Sequence, residues 1–332
     1  MSSEPQRPGA PSPLPDAPPP PARGVARRAL LLVNEGSRRA PELMETAVAK
    51  LRAYEGLEIV LEDCRDPDRL SGIIVAHRET VDMVILGGGD GTMNAAARGL
   101  IETGLPLGIL PLGTANDLAR TLGVPEDLDA AADLILAGRT RRIDCGEVNG
   151  RPFFNVASIG ISADLAKALT RDLKRRFGRL GYALAAAQVM WRARPFRATI
   201  EGAQETARVL TFQVAVGNGR FYGGGMAVDE HATIDDATLH LYSLEMHRPW
   251  ELFLIAGAFR SGRHGTFRDV RTRAAASFTV TTRKPRSVNA DGELITKTPA
   301  RFRVLPGAVT VFVPETGPGL VGPTRAPNTE SA

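Results

Sequence analysis

The stretch VDMVILGGGDGTMNAAARGL, residues 81–100, constrains this chain more than any other. Val84, Ile85 and Leu86 form a wholly apolar run of the kind a buried parallel strand needs. Gly87, Gly88 and Gly89 follow at once, then Asp90-Gly91-Thr92, then residues at helical spacing (Met93, Ala96, Ala97, Leu100). Strand, glycine turn and helix in succession leave backbone N–H groups and the positive end of a helix dipole at the carboxyl edge of a sheet. A phosphate is held most easily there, and glycines let its oxygens approach the main chain. A ligand-free connection has the same outline, with Asp90 as a plain helix cap. Asp90 nonetheless favours the phosphate reading, because such a site needs a group that handles Mg2+ or a proton. No Lys-Ser or Lys-Thr follows, so the loop is not of the Walker type.

Around this unit the first half alternates strand and helix. Strands are predicted at Ala29–Val33, Glu58–Leu61, Val84–Leu86 and Leu107–Leu110. Helices are predicted near 41–54, from Asp66-Pro67 to His77, after the glycine turn, and near 115–122 and 127–138. That order implies a doubly wound parallel sheet with its ligands at the carboxyl edge. A second loop, Pro111-Leu112-Gly113-Thr114-Ala115-Asn116-Asp117, ends the neighbouring strand, either as an ordinary capped turn or as the other wall of a cradle. After Gly138 the pattern changes. Arg142–Val148 and Arg151–Ser158 flank Asn149-Gly150, a two-residue hairpin signal. A helical insert is predicted over about 162–191 and a helix over Pro249–Ser261. Further strands are predicted at Thr211–Val216, Leu239–Leu244, Phe278–Thr282, Phe302–Leu305 and Val309–Val313, giving an antiparallel β-sandwich. The expected division is therefore a disordered proline-rich leader (1–25), an α/β nucleotide-binding domain (26–140), a β-sandwich domain (141–314) and a loose tail (315–332).

Three other features carry alternatives. Asn289-Ala290-Asp291-Gly292-Glu293 is either a routine turn or a site presenting an acid. Asp235-Asp236 is either a solvated bend or a hard-cation site. The run Arg171, Lys174, Arg175, Arg176, Arg179 ahead of Leu180, Tyr182, Leu184 and Trp191 is either a solvated helix face or a patch for anionic headgroups. The formal charge is only +4 and aromatics make up 5%, which argues against stacking-based nucleic-acid binding. Cys64 and Cys145 are expected to be reduced core residues. With no apolar run of spanning length and no signal-peptide segment, the expected location is the cytoplasm, with access to the inner membrane face.

The ordered motifs GGGDGTMN, GILPLGTANDLA, GNGRFYGGG, ATIDDATL and NADGE resemble the diacylglycerol-kinase catalytic family, most of all bacterial YegS-type lipid kinases, over about residues 28–314. The resemblance implies a nucleotide-binding α/β domain plus a β-sandwich, and ATP- and Mg2+-dependent phosphorylation of a hydroxyl on a diacylglycerol-like lipid at a membrane surface, without nucleic acid. By that resemblance Gly88, Gly89, Asp90, Gly91, Thr92, Met93, Asn94 and Thr114 contact ATP, with Asn34 and Ser37 on the first loop. Glu293 is the implied proton acceptor, with Asp90 its rival. Asp236 and main-chain oxygens of Thr233 and Thr238 match a structural Mg2+ site. The chain departs from the family pattern at Ala95 (often Glu), at Cys64 (a threonine near ATP), at Ala237 (usually Gly) and in the negative charge of Glu35. A nicotinamide-nucleotide kinase, which shares a GGDG turn, and a non-catalytic nucleotide- or lipid-binding relative are the competing expectations.

Overall fold

The computed structural model describes residues 27–33, 41–63, 66–168, 189, 191–202, 205–219, 221–222, 226–227, 233–246 and 270–315. The leader, the basic run 171–188, the helix expected at 249–261, Cys64 and the segment after 315 lie outside them.

The first half contains β1 (Arg27–Val33), α1 (Pro41–Ala53), β2 (Leu57–Asp63), α2 (Leu70–Ala76), β3 (Met83–Gly88), α3 (Asp90–Thr103), β4 (Leu107–Pro111), α4 (Asp117–Leu122) and α5 (Leu128–Leu136). Asp66-Pro67 opens a single 3-10 turn, Pro67–Arg69, rather than α2 itself; the Asp66 carboxylate accepts from the Asp68 N–H at 3.1 Å. The strands run parallel in the order β2-β1-β3-β4. Every residue of β3 and β4 is buried, the pattern of strands covered on both faces. α1 and α5 are tied by Lys50 and Asp133 at 2.7 Å. α2 and α3 are joined through Ser71, whose hydroxyl donates to the Ala95 carbonyl (2.8 Å) and accepts from the Gly99 N–H (3.0 Å).

The second half contains β5 (Thr140–Val148), β6 (Arg151–Phe153), β7 (Val156–Gly160), α6 (Ile161–Ala168), β8 (Phe196–Glu201), β9 (Thr206–Thr211), β10 (Gln213–Gly217), the short pair β11 (Phe221–Tyr222) and β12 (Met226–Ala227), then β13 (Leu239–Leu244), β14 (Val270–Ala275), β15 (Ser277–Thr282), β16 (Ser287–Ala290), β17 (Glu293–Lys297) and β18 (Ala300–Phe312). An antiparallel sheet of order β14-β13-β10-β7-β16-β17 packs on β18, β15, β8 and β9. Ile159, Val214, Leu241 and Val288 meet Phe196, Val280 and Phe302 between the layers, which makes the expected sandwich.

Four expected strands resolve differently. Arg151–Ser158 divides into β6 and β7, which belong to different sheets. Thr211 ends β9 in one sheet and Gln213 starts β10 in the other. Conversely, Phe302–Leu305 and Val309–Val313 are parts of one strand, β18, with a register shift between Leu305 and Val309 where Gly307 takes φ +54°. β18 lies along β5 for most of its length; its other edge meets β15 at the start and β4 at Val311. It therefore feeds both cores, Val309, Val311 and Phe312 into the first and Phe302 and Val304 into the second. The Asn149-Gly150 hairpin is present, both residues at positive φ. Cys145 is a buried free thiol. No helix among the described residues is long and apolar enough to cross a membrane.

Candidate active site

The glycine turn lies at the carboxyl end of β3, a central strand of the parallel sheet. Gly89 is the N-cap of α3 in extended conformation and supplies no side-chain cap, so the helix start offers its N–H groups to an incoming acceptor. The neighbouring loop is locked against it. Leu112 N–H donates to the Gly88 carbonyl at 2.9 Å. A Cβ on Gly89 would stand 2.9 Å from the Gly113 Cα, which holds the two loops in main-chain contact. Asn116, at φ +49°, closes its own loop by accepting from Gly113 N–H (2.9 Å) and donating to Gly113 O (3.0 Å). α4 has no cap from Asn116; Asp90 Oδ1 reaches across from α3 and accepts the Leu118 N–H at 3.1 Å. The two loops are thus one rigid unit, with Asp90 as the bolt between two helix starts.

Within the unit the expected contact residues differ in situation. Gly91 is exposed and a Cβ there would meet nothing, so the first turn is open. Thr114 is exposed at the lip. Thr92 and Met93 are buried beneath the turn, Met93 in the first core, so that whatever Met93 offers a ligand comes from its main chain. Asn94, one helical turn after Asp90, has a buried Oδ1 without a hydrogen-bond partner. Open N–H groups, a carboxylate and an orphaned amide oxygen suit a polyphosphate and its cation. Asn34 and Ser37 lie outside the described residues.

The second half brings a carboxylate within electrostatic reach of Asp90. Asp291 (φ +46°) and Gly292 (φ +92°) form the turn between β16 and β17. The Asp291 carboxylate accepts three consecutive N–H groups, from Phe154 (2.7 Å), Asn155 (3.1 Å) and Val156 (3.0 Å). These residues form the link where the chain leaves β6 for β7, which explains why the single strand expected there is broken. Burial pushes the Asp291 carboxyl up to about 7; the three N–H donors oppose that rise and the charge of Asp90 adds to it. The Asp90 charge is thus felt at Asp291 from the other half of the chain. Glu293, exposed, opens β17 two residues farther on. Asn218 stitches the same region, its Nδ2 donating to Asp144 O (3.0 Å) and Phe154 O (3.1 Å). Sequence reading singled out the turn holding Asp291 but not the role of that residue, since its partners are more than 130 positions away.

The Asp236 loop stands apart. Its carboxylate accepts from the N–H groups of Thr233 (3.2 Å) and Thr238 (2.9 Å) and pairs with His240 Nε2 (3.2 Å). Arg141 pairs with Asp235 at 2.6 Å. Asp144 accepts from Ala237 (2.6 Å) and Gly307 (2.7 Å), and burial raises its pKa. Both Asp236 oxygens are thus engaged by donors, and among the described residues no three acidic, histidine or cysteine side chains converge on a point.

The model of the diacylglycerol kinase catalytic domain matches residues 28–148, and that of the YegS C-terminal NAD kinase beta sandwich-like domain matches residues 155–313. A Klebsiella pneumoniae protein named "Probable lipid kinase YegS-like" is 33% identical over 297 residues, covering 88% of this chain and 97% of the relative. A diacylglycerol kinase of Mycobacterium tuberculosis is 33% identical over 282 residues, covering 82% and 89%. The crystal structure of a diacylglycerol kinase from Bacillus anthracis superposes with a TM-score of 0.72 at 26% identity, covering 87% of this chain and 97% of that one.

Proposed function

Since the chain belongs to the diacylglycerol kinase catalytic family, with a YegS-type second half, we propose that it transfers the γ-phosphoryl group of ATP to the hydroxyl of a diacylglycerol-like lipid. The enzyme is a phosphotransferase with an alcohol acceptor. One observation supports the finer reading above the others: the Asp90 charge on the phosphate-type turn acts on Asp291, whose turn in the other half leads directly into Glu293.

In this reading the open N–H groups from Gly89 to Gly91 hold the triphosphate, with Gly88 behind them, while Thr92 and Met93 donate to Gly89 O (2.9 and 3.1 Å) and with Asn94 complete the first turn. Thr114 contacts the nucleotide, as do Asn34 and Ser37 by the family resemblance. Mg2+ would supply charge neutralisation for the phosphates, and Asp90, whose Oδ1 is fixed by the Leu118 N–H, would hold it through the other carboxylate oxygen. Glu293 accepts the proton of the lipid hydroxyl as its oxygen attacks the γ-phosphorus in line; the O–P bond forms, the bond to the β-phosphate oxygen breaks, and ADP leaves. Holding acid and nucleotide on different halves excludes water, the competing acceptor.

Labelled ATP offered with a total lipid extract tests this. Lipid-soluble label is expected with the parent protein, and Glu293→Ala should keep nucleotide binding but lose turnover by roughly 10²–10⁴-fold. Label appearing in NAD rather than lipid would replace the lipid reading with the nicotinamide-nucleotide kinase. Binding without any transfer would leave a non-catalytic relative.

A further inference from the structure

A second concavity, of mixed polar and apolar lining, lies at the far end of β7 from the Asp291 contact. It has a volume of 310 Å³ and is lined by Gly160, Asp164, Arg192, Arg194, Phe212 and Arg286, among others. Gly160 stands four residue steps along the strand from Val156, or roughly 13 Å, so this is not the nucleotide cradle. The size falls at the small end of ligand sites (about 300–1,000 Å³).

Its charge is lopsided: three arginines against one carboxylate. Asp164 is already engaged by Lys167 at 3.3 Å. Among the described residues none forms an ion pair with the Arg192, Arg194 or Arg286 guanidinium. Arg286 is half-buried, its guanidinium stacked 4.0 Å from the centroid of the Phe196 ring. Burial holds its pKa below the ordinary arginine value, the mark of a cation removed from water without full compensation. The start of α6 is not the donor here. The Ile161 N–H goes to Phe212 O (3.3 Å) and the Ser162 N–H to Gln213 Oε1 (3.0 Å), so recognition falls to the arginines. Beside them stands Trp191, 81% exposed and the most exposed large apolar side chain described. An indole in water next to arginines that make no ion pair among the described residues suits one environment above others, the headgroup layer of an anionic bilayer.

We propose that this cavity seats the phosphate of an anionic phospholipid headgroup, with Trp191 lying in the headgroup layer beside it. The inference rests on the lipid-acceptor reading only for the reason the enzyme meets a bilayer. The arginines act as a planar, multidentate phosphate grip, and they set which surface of the second half faces the membrane. A soluble phosphate ester would meet the same groups, so the test must separate the two.

Trp250→Phe leaves Trp191 as the sole indole of a chain with two tryptophans. The full-length protein is mixed with vesicles of phosphatidylcholine alone or of phosphatidylcholine with phosphatidylglycerol. A blue shift of Trp191 emission and co-sedimentation are expected with the mixed vesicles only. Arg286→Gln should weaken that binding by roughly fivefold, and Arg192→Gln with Arg194→Gln, both exposed and harmless to packing, by more. Arg208→Gln, on an outer sheet face, should change nothing. Equal binding to both vesicles, or arginine variants that bind as the parent does, overturns the proposal. So does glycerol 3-phosphate shifting the Trp191 emission without vesicles, which would make the occupant a soluble ester. Phosphorylation of lipid in detergent micelles, run in parallel, keeps the two readings apart. If vesicle binding fails while micellar turnover persists, only the docking site falls.

Discussion

At the scale of single residues, the site depends on atoms that leave no room for change. Gly89→Ala would drive a Cβ against the Gly113 main chain at 2.9 Å, and neither loop can retreat without breaking the Leu112–Gly88 hydrogen bond. A loss of about 1–3 kcal/mol is expected, with nucleotide affinity falling more steeply than stability; equilibrium urea unfolding and ATP titration check this. Asp291 makes a signed prediction. Its folded-state value of about 7 lies above the ordinary carboxylate value of 3.8. The folded protein therefore keeps that proton after the unfolded chain has lost it. Its share of stability is fully present below the unfolded value and is lost as pH rises through the folded one. Between about pH 5 and pH 8 the parent should lose on the order of 2 kcal/mol from this group, and Asp291→Asn, which cannot ionise, should lose much less. Parallel slopes for the two proteins would remove Asp291 as the cause. The glycine turn was legible in the sequence because its chemistry is local. The grip of Asp291 on Phe154–Val156 was not, because nothing near either segment announces the other.

Elements tell a similar story about what local pattern carries. The parallel strands and their helices were readable from uninterrupted apolar runs and helical spacing. The sandwich strands were readable as runs but not by membership. Thr211 and Gln213 belong to different sheets although only Phe212 separates them, and β6 and β7 part at Phe154-Asn155 in the same way. A switch between layers is decided by tertiary partners, and hydropathy on either side of it looks the same. The loop before β13 shows a local conflict instead. Ala237 sits at φ +55°, in the left-handed region, where the family usually has glycine. The left-handed conformation costs an alanine about 1–2 kcal/mol, partly offset by the lower chain entropy of alanine relative to glycine. Ala237→Gly should thus stabilise the protein by a few tenths to about 1 kcal/mol, read as a rise in thermal midpoint without change in turnover. A fall would mean the strain is relieved by neighbours such as the Asp144 bond to the Ala237 N–H.

The whole molecule is organised by β18. Two cores that a linear reading assigns to separate domains share this strand, which joins β4 at one end and β15 at the other while β5 runs alongside. The halves should therefore melt together. Heating monitored by nucleotide-site fluorescence and by far-ultraviolet dichroism is expected to give one coincident transition; two separated midpoints would show that β18 peels from one half first. The same arrangement bears on synthesis. The strand that completes the amino-terminal core is encoded by residues 300–312, so the ribosome must release almost the entire chain before that core can close. The usual vectorial order, first half folded while the second is still being made, is closed to this protein. A message truncated anywhere upstream of β18 is expected to yield no stable nucleotide binder, only a polypeptide with an apolar seam for chaperones and proteases to find.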